Sequence, residues 1–572
     1  MQDEAAVVLT PPGNTPGANP AEETVAMSLQ PQESIHVMAY DVGTTGAKTC
    51  IYTLGDQLTL LDSQVEEYPL LTTPDGGAEQ RADDWWAALC KGGRSLLERT
   101  GIFPETIKAV SFCCQMQALI LVDEAGRALR NPMGYMDGRA TQPFERDFAR
   151  GFPKVAGLNA RKLLTSLYYT GGAAATAKDP LWKYHWVRAN ESELLGEAVH
   201  WLDVRDYLAM RCTGQAAMTR DSAHLTFLYD TRPGKEGWSK PLCRMFDVDM
   251  DLLPQVQSAT DLAGGLTEQA AKDLGLTPDC PVFCGGGDIT LIPMGAGCTR
   301  KNDIHAYVGT SGWVVAHVEK RMVDVNNFIA SICGAVPGSY NFVAEQETSG
   351  LCLQWVRDHL ALDSLGVYRD EAGSLPPLAE SDGLYDLMNE KVMEIPAGSG
   401  GVIFTPWLHG NRAPREDPFA RGMFFNLGLN SGKRAMVRAV LEGMAFHKRW
   451  MLEAMEKKIG VQSVLRLVGG GAKSDVFCQI MADVTGHTIE VPEDPQNAGA
   501  AGAALICGLG LGCIENPARA REMVCIEKRF EPNPDHRDVY DEMFQVFCRL
   551  YDRNKKLFRQ LNVKSNAGET QG

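Results

Sequence analysis

Apolar Ile35, Val37 and Ala39 alternate with their neighbours at the period of a half-buried strand, and the run breaks at Gly43-Thr44-Thr45-Gly46. That break predicts a tight hairpin turn, with 51–60 as the return strand. Residues 83–99 then carry apolar positions at helical spacing, with Asp83 as a candidate N-cap. Two strands are expected at 107–112 and 118–122, separated by the polar step Gln115-Met116-Gln117. Helices are expected at 181–188 and 204–212.

A short strand ending at Phe283 runs into Gly285-Gly286-Gly287-Asp288, followed by an apolar stretch at 289–297. The first turn then recurs in shortened form. Ala39-Tyr40-Asp41-Val42-Gly43-Thr44-Thr45-Gly46 has its counterpart in Ala306-Tyr307-Val308-Gly309-Thr310-Ser311-Gly312, with strands before and after. A copy half a chain away is too distant for a solenoid repeat and predicts duplicated domains. Beyond it the pattern predicts a short helix at 349–359, a loop-rich stretch at 371–399, a strand at 402–404 and a long buried helix at 435–457. A strand at 465–468 leads into Gly469-Gly470-Gly471 and a helix at 476–484. A small-residue helix at 497–511 and an amphipathic helix at 535–561 close the chain, so strands and helices alternate as in an α/β fold.

With 572 residues, two to four domains are expected at a prior of about 150 residues each. A formal net charge of −17, without a Lys/Arg run to offset it, argues against a nonspecific nucleic-acid or anionic-membrane binder. The 16 cysteines show no CxxC pairing and read as small core residues of a reducing, cytoplasmic protein. No apolar run reaches the roughly 18 residues of a membrane span. Residues 1–34 are Pro/Gly-rich and polar, and are expected to be a disordered tail.

The candidate chemistry sits at the turns. Hydroxyls of Thr44 and Thr45 and the turn N–H groups are donors of the kind that hold phosphate oxygens, and Asp41 can face a metal ion. The stretch is not a Walker A loop, because Gly46 and Lys48 are separated by Ala47. Gln115 and Gln117 are either a pocket wall or satisfied polar groups at a strand junction. Asp137 with Arg139 is either a surface ion pair or pocket lining. Asp288 stands either beside an open space beyond a strand end or as a helix N-cap. Strand, triple glycine and helix start at 465–484 offer a place for a nucleotide's phosphate or sugar.

Taken together, the stretches at Asp41, Gln115, Asp137, Asp288, Thr310 and Gly469 resemble the FGGY family of carbohydrate kinases, in order and spacing, from about Ile35 to about Asn562. The likeness is greatest to its xylulokinase branch. It implies two actin-like (ribonuclease-H-like) ATPase domains with an interdomain cleft: 35–292 on the sugar and phosphate side, 293–572 on the nucleotide side. It implies ATP and Mg2+, a small-molecule sugar as partner, and D-xylulose phosphorylated to D-xylulose 5-phosphate. Gluconate or another pentulose or polyol is the alternative substrate, and a non-catalytic nucleotide-gated regulatory protein the alternative of another class. By resemblance, Asp288 is the general base and Asp41 positions the metal. Thr44, Thr45, Lys48, Thr310 and Gly312 approach the phosphates, while Gly470, Gly471, Ala472 and Asp475 border the adenosine and Gln354 faces the nucleotide. Gln115, Met116, Gln117 and Asp137 face the sugar with Asp288. Gln117 stands where the xylulokinases carry His, and Tyr135 where they carry Trp. These departures fall where sugar specificity is decided. A homodimer is the default for oligomeric state.

Overall fold

The computed structural model describes residues 35–155, 157–361 and 392–568. The expected tail at 1–34 and most of the expected loop at 371–399 lie outside them.

Two sheets are built on one plan. In the first, β1 (Ile35–Val42) pairs antiparallel with β2 (Gly46–Leu54), and β2 pairs antiparallel with β3 (Leu58–Glu67). On the other side β1 lies parallel to β4 (Ile107–Cys114), which is followed by β5 (Pro281–Phe283). In the second, β6 (Ile304–Val308) and β7 (Gly312–Val318) form the hairpin and β8 (Tyr340–Gln346) pairs antiparallel with β7. β9 (Val464–Val468) runs parallel to β6, and β10 (Thr488–Pro492) parallel to β9. The shortened repeat seen in sequence is therefore a repeat of topology. Each turn caps the hairpin of its own sheet.

The single return strand expected at 51–60 is corrected: β2 starts at the turn itself, and a new strand follows a bend after Leu54. The pattern hid this because β3 lies at the sheet's end and carries Asp62, Ser63, Gln64 and Glu66 among its apolar positions. Helix α1 (Ala82–Thr100) buries Trp85, Trp86, Leu89 and Leu96, but its cap is Arg81; Asp83 and Asp84 lie in the first turn, where carboxylates favour the helix dipole. Helices α2 (Pro180–Asn190), α3 (Asp288–Gly295) and α4 (Leu351–Val356) follow, then α5 (Lys433–Ile459), α6 (Asp475–Thr485), α7 (Ala498–Gly510) and α8 (Arg537–Gly568). Asp288 is the first residue of α3 rather than its cap, which is Gly287.

The small residues of α7 have a packing reason. Ala500, Ala503 and Ala504 join Val37, Ala39, Cys50 and Ala109 in one core, so a helix from the C-terminal half of the chain lies on the first sheet. A Cβ at Gly502 would stand 2.1 Å from the Leu291 carbonyl oxygen, and one at Gly295 would stand 1.8 Å from that of Ala498. The α3 and α7 backbones thus touch where both glycines lack side chains. No described helix is long and apolar enough to cross a membrane.

Candidate active site

The first turn is closed by the Gly43 N–H donating to the Gly46 carbonyl at 2.9 Å, and the Tyr68 hydroxyl donates to the Gly43 carbonyl at 2.7 Å. Thr44 Oγ1 donates to the Tyr135 hydroxyl at 3.3 Å, and Thr45 is exposed at the tip. Asp41 lies opposite Lys48 in the β1–β2 register and beside Cys113 of β4. The Lys48 ammonium donates to the Gln496 carbonyl at 2.5 Å, tying β2 to the loop before α7. One residue earlier, the Pro495 carbonyl accepts from Gly469 N–H at 2.8 Å. The first turn and the triple-glycine turn therefore hang on adjacent carbonyls of one loop.

Two further segments converge on the second turn. Gly350 N–H donates to the Gly309 carbonyl at 2.7 Å and Ser349 N–H to the Thr310 carbonyl at 3.1 Å, bringing the start of α4 and Gln354 alongside. A Cβ at Gly471 would lie 2.4 Å from Val308 Cγ1, so the triple-glycine turn rides directly on β6. Thr310 and Gly470 are exposed, Gly312 and Ala472 buried. Asp475 lies further out, in a surface ion pair with Lys528 at 3.0 Å.

Asp288 emerges where β5 and the two-residue strand Gly286–Gly287 end against β4. The glycines are required: a Cβ at Gly285, which has φ +69°, would sit 2.2 Å from the Phe112 carbonyl oxygen, and one at Gly287 would overlap Met116. Gly287 N–H donates to Asp221 at 2.8 Å, which fixes the strand end. Among the described residues, the Asp288 carboxylate accepts only from its neighbour Ile289 N–H, at 2.7 Å. Burial, and after it the charges of Asp41, Glu345 and Asp203, push its pKa up to about 7. Burial also raises that of Asp41, against the pull of Lys48.

The polar step after β4 forms one wall. Gln115 is buried and donates to Gln80 at 2.6 Å. Gln117 takes a left-handed backbone, φ +66°, held by its N–H on Asp203 at 2.9 Å and by Lys183 Nζ donating to its carbonyl at 2.7 Å. Its side chain reaches Asp179 at 3.4 Å. Asp137 is not a surface residue. It is fully buried, accepts from Ala78 N–H at 3.0 Å and receives the Arg139 guanidinium at 2.6 Å, with Arg139 stacked 4.5 Å over Trp186. The pair is a fixed support behind the wall. Met116 packs on Gly287.

Several groups of this site went unread in the sequence. Asp179, pushed up to about 7 by burial, and Lys183, pushed down to about 8 by burial, lie at the start of α2. Glu345 and Glu347 come from the end of β8, and both pair with Arg412, which contacts Glu347 at 2.9 Å. Lys178 meets Glu347 at 3.5 Å, joining the two halves of the chain. A lysine inside apolar α2 and two glutamates flanking Gln346 were the available signals, because unpaired charges in apolar runs need partners.

Asp41 and Asp288 form no salt bridge among the described residues, and the charge of Asp41 raises the cost of ionising Asp288. Two such carboxylates suit a divalent cation. No group of three or more His, Cys, Asp or Glu gathers as a metal cluster among the described residues, so an ion here would draw its other ligands from water and phosphate. That is the habit of Mg2+.

Fold and site together define a phosphotransferase of the actin-like ATPase class, with a matching glycine-bearing hairpin turn in each half. The chain matches the FGGY family of carbohydrate kinases through its N-terminal domain at residues 36–295 and its C-terminal domain at 305–511. It is 26% identical over 536 residues to a xylulose kinase of Staphylococcus epidermidis, covering 93% of this chain and 99% of that protein. In solved structures it is similar to a gluconate kinase of Lactobacillus acidophilus, at TM-score 0.78, 22% identity and coverage of 92% and 100%. A xylulose kinase from the same organism has TM-score 0.78, 22% identity and coverage of 92% and 99%. The chain belongs to the FGGY family and is a carbohydrate kinase, with ATP as a substrate. The alternative of a non-catalytic regulatory protein is set aside.

Proposed function

We propose that the protein transfers the γ-phosphoryl group of ATP to the terminal primary hydroxyl of a ketopentose, D-xylulose giving D-xylulose 5-phosphate. The observation that carries this reading is Asp288: a carboxylate at a strand end with no cationic partner among the described residues, next to Gly287, on which Met116 of the Gln115–Gln117 step packs. It takes the proton as the sugar oxygen forms its bond to the γ-phosphorus, the bond to the β–γ bridging oxygen breaks, and ADP leaves. The N–H groups and hydroxyls at Thr44, Thr45, Thr310 and Gly312 stabilise charge on the phosphoryl oxygens. Asp41 would hold Mg2+, which would supply neutralisation of phosphate charge. Gln354, Gly470, Gly471, Ala472 and Asp475 border the nucleoside. In this reading 35–292 is the sugar and phosphate domain and 293–572 the nucleotide domain.

The charge around Asp288 favours a neutral sugar over an aldonate. Asp41, Asp203 and Glu345 all act on it, and the guanidinium beside Glu345, Arg412, is shared between Glu345 and Glu347. A substrate carboxylate would meet this acidic surround, whose ammonium, Lys183, is already held on the Gln117 carbonyl. A coupled ADP-release assay over pentuloses, polyols and aldonates tests the proposal. D-xylulose should have the highest kcat/KM; a preference for gluconate would overturn the sugar assignment.

A further inference from the structure

A buried lysine stands behind the second phosphate turn with nothing to neutralise it. Lys448, on α5, is fully buried, and its Nζ has no hydrogen-bond partner among the described residues. It points at the turn: a Cβ at Gly312 would lie 2.3 Å from Lys448 Nζ and 2.9 Å from Ser349 Cβ. Gly312 is thus the residue whose missing side chain admits the ammonium. Ser349 Oγ, Gln346 Oε1 and His305 Nδ1, around the same turn, are also without partners among the described residues.

The titratable groups facing Lys448 are His305 of β6, His447 on its own helix and Cys352 of α4. None supplies an anion. Burial holds both imidazoles near a pKa of about 3, hence neutral, and pushes the Cys352 thiol up to about 12. A buried amine without a counter-ion is costly, and burial accordingly pulls Lys448 down to about 7.

We propose that Lys448 is a positioning residue whose missing anion is the nucleotide's polyphosphate: phosphate bound on the open side of the Thr310–Gly312 turn draws a proton onto Lys448, making nucleotide binding proton-linked. The inference rests on the reading of that turn as a phosphate site. Its physical basis is that a charge inside the fold is poorly screened, so an anion a few ångströms beyond the backbone stabilises the ammonium form. The sign follows from linkage. The bound state holds the proton more tightly than the free state, so affinity is highest at low pH and falls as pH rises through the free-protein pKa.

The test is calorimetric titration of the full-length protein with a non-transferable ATP analogue and excess magnesium, without sugar, in buffers of different ionisation heat. Wild type should take up more protons near pH 7.5 than Lys448→Met, by up to about one per nucleotide. Lys448→Met should bind on the order of tenfold more weakly near pH 6.5 and almost equally near pH 9. It should melt no lower than wild type, because Met fills the same space without an amine to desolvate. Equal proton uptake and equal affinities overturn the proposal, as does a lower melting temperature with unchanged nucleotide binding, the mark of a merely structural lysine. Should Lys448→Met fail to fold, Lys448→Gln takes its place, keeping a long polar side chain without a titratable amine: loss of the wild-type proton uptake near pH 7.5 supports the proposal, and uptake equal to wild type overturns it. An analogue that does not bind wild type at all overturns the phosphate-turn reading itself. Binding without linkage overturns only the part played by Lys448.

Discussion

At the scale of single residues, Asp288 combines a role in the proposed chemistry with a cost to folding. Its folded pKa of about 7 lies above the ordinary 3.8, so the folded chain holds this proton more tightly than the unfolded chain. Stability from this group is present at low pH and is lost as pH rises from about 4 to about 7. Asp288→Asn removes that loss. Its melting temperature relative to wild type should therefore climb across that window and stay level above it, while turnover falls by a factor on the order of 100 or more. Near-normal turnover in a folded variant would reject the base. Because the base must be ionised, log kcat/KM of wild type should fall on the acid side with a midpoint no higher than about 7. Residue identity was the most legible level: Asp41, Thr44, Asp288 and the glycines stand out at strand ends. Asp137 shows the limit. Its side chain could equally have been a surface pair or pocket lining, and burial behind Ala78 and Arg139 was decided by segments far apart in the chain.

At the scale of elements, the contact of α3 with α7 holds the strand end that presents Asp288. Gly502 is a glycine because the Leu291 carbonyl occupies the place of its Cβ. Gly502→Ala should push α3 aside, destabilising the protein by about 1–3 kcal/mol in denaturant titrations. It should also lower kcat more than it alters nucleotide affinity, since the displaced helix begins at Asp288. Gly196→Ala provides the contrast, being an exposed helical glycine with open space at its Cβ. It should gain about 0.5–1 kcal/mol. The small-residue run at 497–511 was readable as a closely packed helix, and the periodicity of α1 and α5 as buried faces. Strand β3 was not, because a polar strand at a sheet edge takes its hydrogen bonds from β2 and leaves little mark in its own pattern.

At the scale of the whole molecule, the two halves act on each other's charges. Arg412 and Glu345 come from the C-terminal half, yet Glu345 helps raise Asp288. Arg412→Ala would leave Glu345 and Glu347 without their shared cation, adding negative potential around Asp288 and raising its pKa further. The acid limb of the pH–rate profile should move to higher pH, with a smaller shift at high salt if the coupling runs through solvent. An unmoved profile would show that the halves are electrostatically independent at this point. The chain by itself determined the two turns, the glycines between strand and ligand side, and the duplication that predicts a paired phosphate clamp, because each follows from local backbone demands and from period. Tertiary structure alone decided which charges face one another: Lys48 on the Gln496 carbonyl, Arg412 between two glutamates, Lys448 behind Gly312. Such pairings depend on desolvation and on distance across the fold, and neither is written in any local stretch of sequence.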